Sequence, residues 1–304
     1  MIYELRQETR YVYTAAVPYS SHVARLLPVD RRGQTVRQAK LVIAPVPSER
    51  QETSDFFGNR LCHFALDHPH DSLLVRLEAE VEVIPPEPYL AALTPSAEEV
   101  RALAAACSDP GPESPVHGLF ASPSVPLDAA ITRYAGLSFP ARRPVLEGAI
   151  DLMKRIKADF AYVPGATDAD TSPSVAFVAR KGVCQDFAHI MIAGLRGLAL
   201  PARYVSGYLR TEPPPGQARL EGADATHAWT EVWCGGEAGW VGLDPTNGIM
   251  AGEDHLVLAI GRDYSDVSPL DGVIVASGAH SLTVAVDVIP LSNSPTRRPL
   301  RVVE

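Results

Sequence analysis

The 304-residue sequence predicts an α+β protein: a small antiparallel β domain, a helical stretch, and then a second set of strands. Three observations predict this. Polar and apolar residues alternate in short runs as far as Val83, apolar residues take a helical spacing in stretches between Ala97 and Leu198, and alternation returns from Ala202. Helices that precede the strands as a block depart from the strand–helix alternation of a doubly wound nucleotide fold. The chain carries no phosphate-binding loop, no dinucleotide fingerprint and no internal repeat.

Residues 1–88 make the β domain. Its runs are Glu4 to Tyr13, Val36 to Pro45, His63 to Leu66 and Leu73 to Val83, parted by turn signals at Arg32-Gly33 and Gly58-Asn59. The boundary falls at Ile84-Pro85-Pro86-Glu87-Pro88, where prolines forbid both a ladder and a helix interior. Residues 89–143 form a helical and irregular connection: Ala97 to Ala106 is alanine-rich and helical, and Cys107 to Pro126 carries five prolines. The third unit, 144–290, opens with a helix in which Val145, Ala149, Leu152, Ile156 and Phe160 share one face, behind a proline suited to a first turn. After Pro164-Gly165 a second helix, Val183 to Leu198, begins at a cysteine. Strands follow at Ala202 to Leu209, His227 to Trp233, Trp240 to Leu243, Val273 to Val275 and Leu282 to Ile289, the last two closing the sheet. Glu212 to Asp224, with three consecutive prolines, is a loop near the cleft, and 291–304 is a loosely held tail.

Composition narrows the partners. The 36 acidic residues outnumber the 27 basic ones, for a formal charge of −9 without a long basic run, so nucleic acid is excluded as a partner. No stretch approaches the ~20 apolar residues of a membrane span, and the charged alternation of Met1 to Tyr13 is unlike a signal peptide. A cytoplasmic protein is expected. Cys62, Cys107, Cys184 and Cys234 stand far apart with no CxxC pair, which predicts free thiols rather than a disulfide framework or structural zinc. His63, His68 and His70 with Asp67 fit no zinc spacing and abut Pro69, and no calcium-loop pattern occurs. The expectation is therefore no metal and no cofactor. The sequence assigns no oligomeric state.

Two segments carry chemistry. In Arg180-Lys181-Gly182-Val183-Cys184-Gln185-Asp186-Phe187-Ala188-His189 a glycine precedes a cysteine in the first turn of an apolar helix. Unpaired amides there favour a thiolate, and Arg180 and Lys181 act in the same direction; Asp186 opposes them unless it caps the helix. His189 points to another side of the helix and reads as structural, while His255 and His280 carry no partner signal.

The second segment runs from Thr226 to Asn247 and reads as a hairpin. With Trp233 facing Trp240, period-two alternation puts His227, Trp229 and Glu231 on one face with Gly242 and Asp244. His227 and Asp244 are then diagonal, within the roughly 5 to 8 Å of direct and diagonal cross-strand neighbours. Taken singly, Cys184 reads equally as a buried structural thiol, His227 as a packed histidine beside tryptophans, and Asp244 before Pro245 as a turn residue. Together they satisfy the nucleophile, base and orienter logic of acyl transfer, in the order Cys, His, Asp.

Gly182-Val183-Cys184-Gln185-Asp186-Phe187-Ala188, Pro201-Ala202-Arg203-Tyr204-Val205-Ser206-Gly207-Tyr208, His227-Ala228-Trp229 and Asp244-Pro245-Thr246-Asn247 resemble bacterial transglutaminase-like proteins. The resemblance spans about Pro144 to Tyr264, and Asp55-Phe56-Phe57-Gly58-Asn59 looks like the β domain that often precedes this core. It implies a papain-like core with the Cys184 helix packed on an antiparallel sheet, and it gives the nucleophile role to Cys184, the base role to His227 and the orienting role to Asp244. Members of the family include cysteine proteases, amidases, amide cross-linkers and silent relatives, so the expected substrate is a peptide or protein amide. Hydrolysis of a peptide or amide bond stands ahead of a cross-linking transglutaminase or a deamidase because water is the default acceptor. A binding module without chemistry is the rival from another class. The Cys184 amide is the first oxyanion donor to expect, with Gln185, Tyr162 and Trp229 as further oxyanion or substrate-binding candidates. The papain-like glutamine about six residues before the cysteine is absent, since Val178 stands there.

Overall fold

The computed structural model of the chain describes residues 1–85, 90–211 and 224–291. Pro86 to Tyr89, Glu212 to Ala223 and the tail from Ser292 lie outside the described residues. The chain begins with β1 (Ile2–Val17), β2 (Tyr19–Ala24), β3 (Gln34–Ala44), β4 (Glu49–Ser54), β5 (Arg60–Leu66) and β6 (His70–Val83). Alternation turns Tyr3, Leu5, Gln7 and Thr9 of β1 inward. The buried Gln7 amide donates to Thr9 Oγ1 at 3.0 Å and accepts from the Tyr208 hydroxyl, so burial leaves neither end unpaired.

The middle of the chain supplies α1 (Ala97–Ala105), α2 (Ala129–Gly136), α3 (Val145–Asp159), β7 (Ala161–Tyr162), α4 (Pro173–Ala179), β8 (Lys181–Gly182) and α5 (Cys184–Gly197). Side chains define where the first two helices start. Ser96 and Glu99 form a reciprocal capping box on α1, and Asp128 accepts from the amides of Ala130 and Ile131 on α2. Then come β9 (Ala202–Leu209), β10 (Ala225–Trp233), β11 (Trp240–Asp244), β12 (Ile249–Met250), β13 (His255–Gly261), α6 (Tyr264–Val267), β14 (Leu270–Val275) and β15 (His280–Leu291).

One antiparallel sheet has the order β12-β11-β10-β9-β13. The last two strands do not close it, contrary to the sequence expectation. β14 pairs with β2 and β15 with β1, giving two further sheets in the orders β14-β2-β5-β4 and β15-β1-β6-β3, so the β domain draws on both ends of the chain. The reason lies at the outer edge of β13, which side-chain amides already occupy. Gln34 exchanges two hydrogen bonds with the Val257 backbone, both 2.8 Å, and Asn59 does the same with Ile260 at 2.7 and 2.8 Å. Each amide imitates a neighbouring strand.

One apolar core joins α1 through α5 to the five-stranded sheet; a second fills the β domain and takes in Tyr208, Leu256 and Leu258 of β9 and β13. The two units thus share buried surface. Among the described residues no helix is long and apolar enough to cross a membrane.

Candidate active site

The approach to Cys184 is built residue by residue. α4 ends on Arg180 in the left-handed region (φ 53°), with its guanidinium 4.3 Å over the Phe177 ring and 4.7 Å over Phe160. The chain then enters β8, which pairs in parallel with β7 through Tyr162 and Gly182. A side chain at 182 is impossible without displacement, because its Cβ would stand 2.5 Å from Asp186 Oδ2. Asp186, 2% exposed, is occupied as a cap: Oδ2 accepts from the Val183 amide at 2.7 Å and from Thr167 Oγ1 at 2.6 Å. Burial pushes its carboxyl up in spite of those bonds, which weakens its opposition to a thiolate. Cys184 opens α5, partly buried, with a free thiol. One turn on, the Ala188 carbonyl accepts from Thr230 Oγ1 of β10 at 3.3 Å, which moors the start of the helix to that strand.

The hairpin register is the one expected. Trp233 pairs with Trp240 and Thr230 with Leu243 around a turn whose Gly235 and Gly239 have φ of 100° and 64°. His227 and Asp244 are consequently diagonal, and His227 Nε2 lies 2.8 Å from Asp244 Oδ2. Asp244 is 0% exposed and accepts five hydrogen bonds. Oδ1 takes the amides of Thr246 (2.9 Å) and Asn247 (3.1 Å); Oδ2 takes His227, Asn247 Nδ2 (2.7 Å) and His255 Nε2 (3.3 Å). The Asp-Pro-Thr-Asn turn is therefore a cradle for its own carboxylate. Burial alone would raise the Asp244 carboxyl, but the bonds from His227 and His255 hold it well below the usual carboxylate range. Burial likewise pulls the His227 imidazole down, yet its bonds to Asp244 and to the Cys184 side chain prevail and push it up to about 9. With Nε2 committed to Asp244, Nδ1 is the nitrogen left for Cys184.

The other sequence candidates fall differently. Trp229 is 1% exposed; its ring is stacked on His227 at 6.2 Å with the planes 29° apart and meets His255 edge-on at 5.2 Å, so it backs the imidazole and offers substrate no surface. Gln185 donates from Nε2 to the Ala169 carbonyl at 2.9 Å, tying down the loop before α4. Tyr162 is 51% exposed beside Gly182, and burial together with the nearby Cys184 side chain pushes its phenol up. It remains a residue that a bound molecule can touch.

His255, which carries no partner signal in the sequence, donates to Asp244 in the structure. It opens β13, a run of Leu, Val, Leu, Ala, Ile and Gly with nearly every residue buried, which gives no alternation to read. The short apolar run after a turn was the available signal. Among the described residues, His227, Asp244 and His255 are the one group whose ligating atoms all lie within 4.8 Å of one another. The His63, His68, His70 and Asp67 side chains form no such group: His70 is spent on Ser20 Oγ and on the His68 carbonyl. His189 is buried and accepts from the Tyr264 amide, with burial pushing it down to about 4, as befits a structural residue.

A cysteine at a helix start, facing a histidine and a carboxylate on an antiparallel sheet, defines the papain-like class of cysteine folds. The chain belongs to the transglutaminase-like superfamily, whose family model matches residues 136–245; a model of the bacterial transglutaminase-like N-terminal region matches residues 3–82. The uncharacterised protein Rv2569c of Mycobacterium tuberculosis is 39% identical over 292 residues, covering 95% of this chain and 92% of its own. ML0607 of Mycobacterium leprae, also uncharacterised, is 32% identical over 289 residues, with 93% and 97% covered. The structure of a candidate cysteine protease from Cytophaga hutchinsonii shares the fold, with a TM-score of 0.74 at 21% identity over 96% of this chain and 92% of that one. Family membership supports cysteine-based catalysis as the general chemistry.

Proposed function

We propose that Cys184, His227 and Asp244 act as a catalytic triad that hydrolyses a peptide or amide bond in a peptide or protein through a Cys184 thioester. The observation that carries this is a single buried imidazole with Asp244 2.8 Å from Nε2 and Cys184 as its other partner. The thiolate attacks the carbonyl carbon, and the negative oxygen is met by the Cys184 amide, which lies in the first helical turn where no intrahelical acceptor reaches it. The C–N bond breaks as the His227 imidazolium passes its Nδ1 proton to the departing nitrogen, leaving the thioester. Water then attacks the thioester with His227 taking its proton, the C–S bond breaks, the acid departs, and the Cys184 thiolate and His227 imidazolium are restored. Asp244 keeps the imidazole in the Nε2–H tautomer and supports its charge.

The test is alkylation of the native protein with limiting iodoacetamide from pH 5 to 9, each cysteine read by peptide mass, beside His227→Ala. Cys184 is expected to react fastest at low pH and to lose that advantage in the variant. A native Cys184 as slow as Cys62 or Cys107 would leave a binding module in place of an enzyme. Incubation of a glutamine peptide with a fluorescent primary amine separates the acyl acceptors. Release without incorporation fits hydrolysis, and amine incorporation would replace it with cross-linking.

A further inference from the structure

His255 lies beside this site with both ring nitrogens engaged, and nothing in the proposed cycle uses it. It is 5% exposed. The turn that delivers it is closed by its own backbone, whose amide donates to the Gly252 carbonyl at 3.1 Å. The Gly252 amide in return donates to His255 Nδ1 at 3.2 Å. A nitrogen that accepts a hydrogen bond carries no proton, so in the neutral ring the proton is on Nε2, the atom aimed at Asp244 Oδ2 from 3.3 Å. His227 differs in one respect: its second nitrogen faces Cys184 and can exchange a proton there.

That assignment separates two readings of the His227, Asp244 and His255 cluster. A bound metal would need both Nε2 atoms stripped of protons and a carboxylate lone pair to spare. Five N–H groups already converge on Asp244, and the Gly252 bond fixes the His255 proton on the atom a metal would take. The cluster is a hydrogen-bond centre. Three of its donors, His227 of β10, His255 of β13 and Asn247 of the turn after β11, meet on the single oxygen Oδ2.

We infer that His255 is a positioning residue of the Cys184 site: as a fixed Nε2–H donor it holds Asp244 Oδ2 in line with His227 Nε2. Its ring also stands edge-on to Trp229, the residue that backs His227, so it restrains the acceptor and the imidazole together. The inference rests on the triad reading, and its experiment separates the two. Full-length protein labelled with 15N-histidine, with His255 assigned by comparison with His255→Gln, is expected to show a proton on Nε2 and, wherever the ring is neutral, the Nε2–H tautomer. The opposite tautomer would overturn the inference whatever the chemistry at Cys184.

The functional arm is the rate of Cys184 alkylation at pH 6, with thermal unfolding measured alongside. His255→Ala is expected to slow it about tenfold, and His255→Gln, which restores an N–H donor at similar reach, to come within about threefold of the native rate. A purely structural role would lower the melting temperature of both variants without parting them in alkylation. A native Cys184 no faster than Cys107 refutes the triad itself, whereas a fast native Cys184 matched by His255→Ala refutes the role of His255 alone.

Discussion

Asp244→Asn tests the electrostatics of the site most severely, because the carboxylate serves five donors with two oxygens. A carboxamide has one oxygen. It can face the two backbone amides or the three side-chain donors, and in either pose its NH₂ group meets at least two N–H groups that lose their acceptor. Unsatisfied buried donors cost about 1–3 kcal/mol each, so a loss of at least about 2 kcal/mol in stability is expected. The charge itself matters more for chemistry. The rise of the His227 imidazole from its ordinary 6.5 to about 9, which the Asp244 and Cys184 side chains produce together against burial, is worth about 3 kcal/mol of preference for the imidazolium, and Asp244→Asn removes the Asp244 share. The thiolate–imidazolium population then falls by at most about three hundredfold, at ~1.4 kcal/mol per factor of ten. The assay is iodoacetamide modification of Cys184 at pH 6, on protein shown by circular dichroism to be folded, against the native chain. A folded Asp244→Asn protein that alkylates within about threefold of native would refute the reasoning, since an imidazole without its counter-charge has no means of keeping that pair.

Two further outcomes follow from the same geometry. The His227 proton is held up to about 9 against an ordinary 6.5, so the stability it contributes is complete below 6.5 and lost as pH rises through 9. The native melting temperature should fall across that window more steeply than that of His227→Ala, and parallel slopes would contradict it; Asp244, shifted the other way, contributes above its ordinary 3.8 and loses that contribution only in stronger acid. Gly182→Ala puts a methyl 2.5 Å from Asp186 Oδ2 and 2.8 Å from its Cβ, against a side chain fixed by its capping bonds. A loss of about 2 kcal/mol together with slower Cys184 alkylation is expected, read by chemical denaturation and peptide mass, and an unchanged denaturation midpoint would count against the cap as the device that sets the cysteine.

The sequence made the hairpin legible because two tryptophans bracket a glycine-rich turn. Once Trp233 faces Trp240, the diagonal of His227 and Asp244 follows from the pleat alone. The start of α5 was equally plain from Gly182 and the apolar run after Cys184, whereas the capping role of Asp186 required its partners, Thr167 and the Val183 amide, to be seen. Alternation marks a strand only when one face is wet. β4 is exposed along its whole length and β13 is buried almost throughout, so both escaped, and His255 escaped with β13. The pattern of β14 and β15 announced strands without saying which sheet would receive them, because periodicity records the burial of a face and not the identity of a neighbour. Residue type makes Trp229 and Gln185 candidates but is silent on direction: one faces the imidazole from behind and the other is turned onto Ala169.

The amides of Gln34 and Asn59 have a consequence for how this protein can be handled and how it can vary. They finish the margin of β13 with two side chains, where a whole strand would be the usual means. A fragment cut to carry only the cysteine unit would therefore present the bare backbone of Val257 and Ile260 to solvent, a ready template for stacking against its own copies. Cys184 and its partners are not a portable cassette. Any shuffling of this core onto another scaffold must bring along two carboxamides from the opposite end of the gene, or replace them in kind.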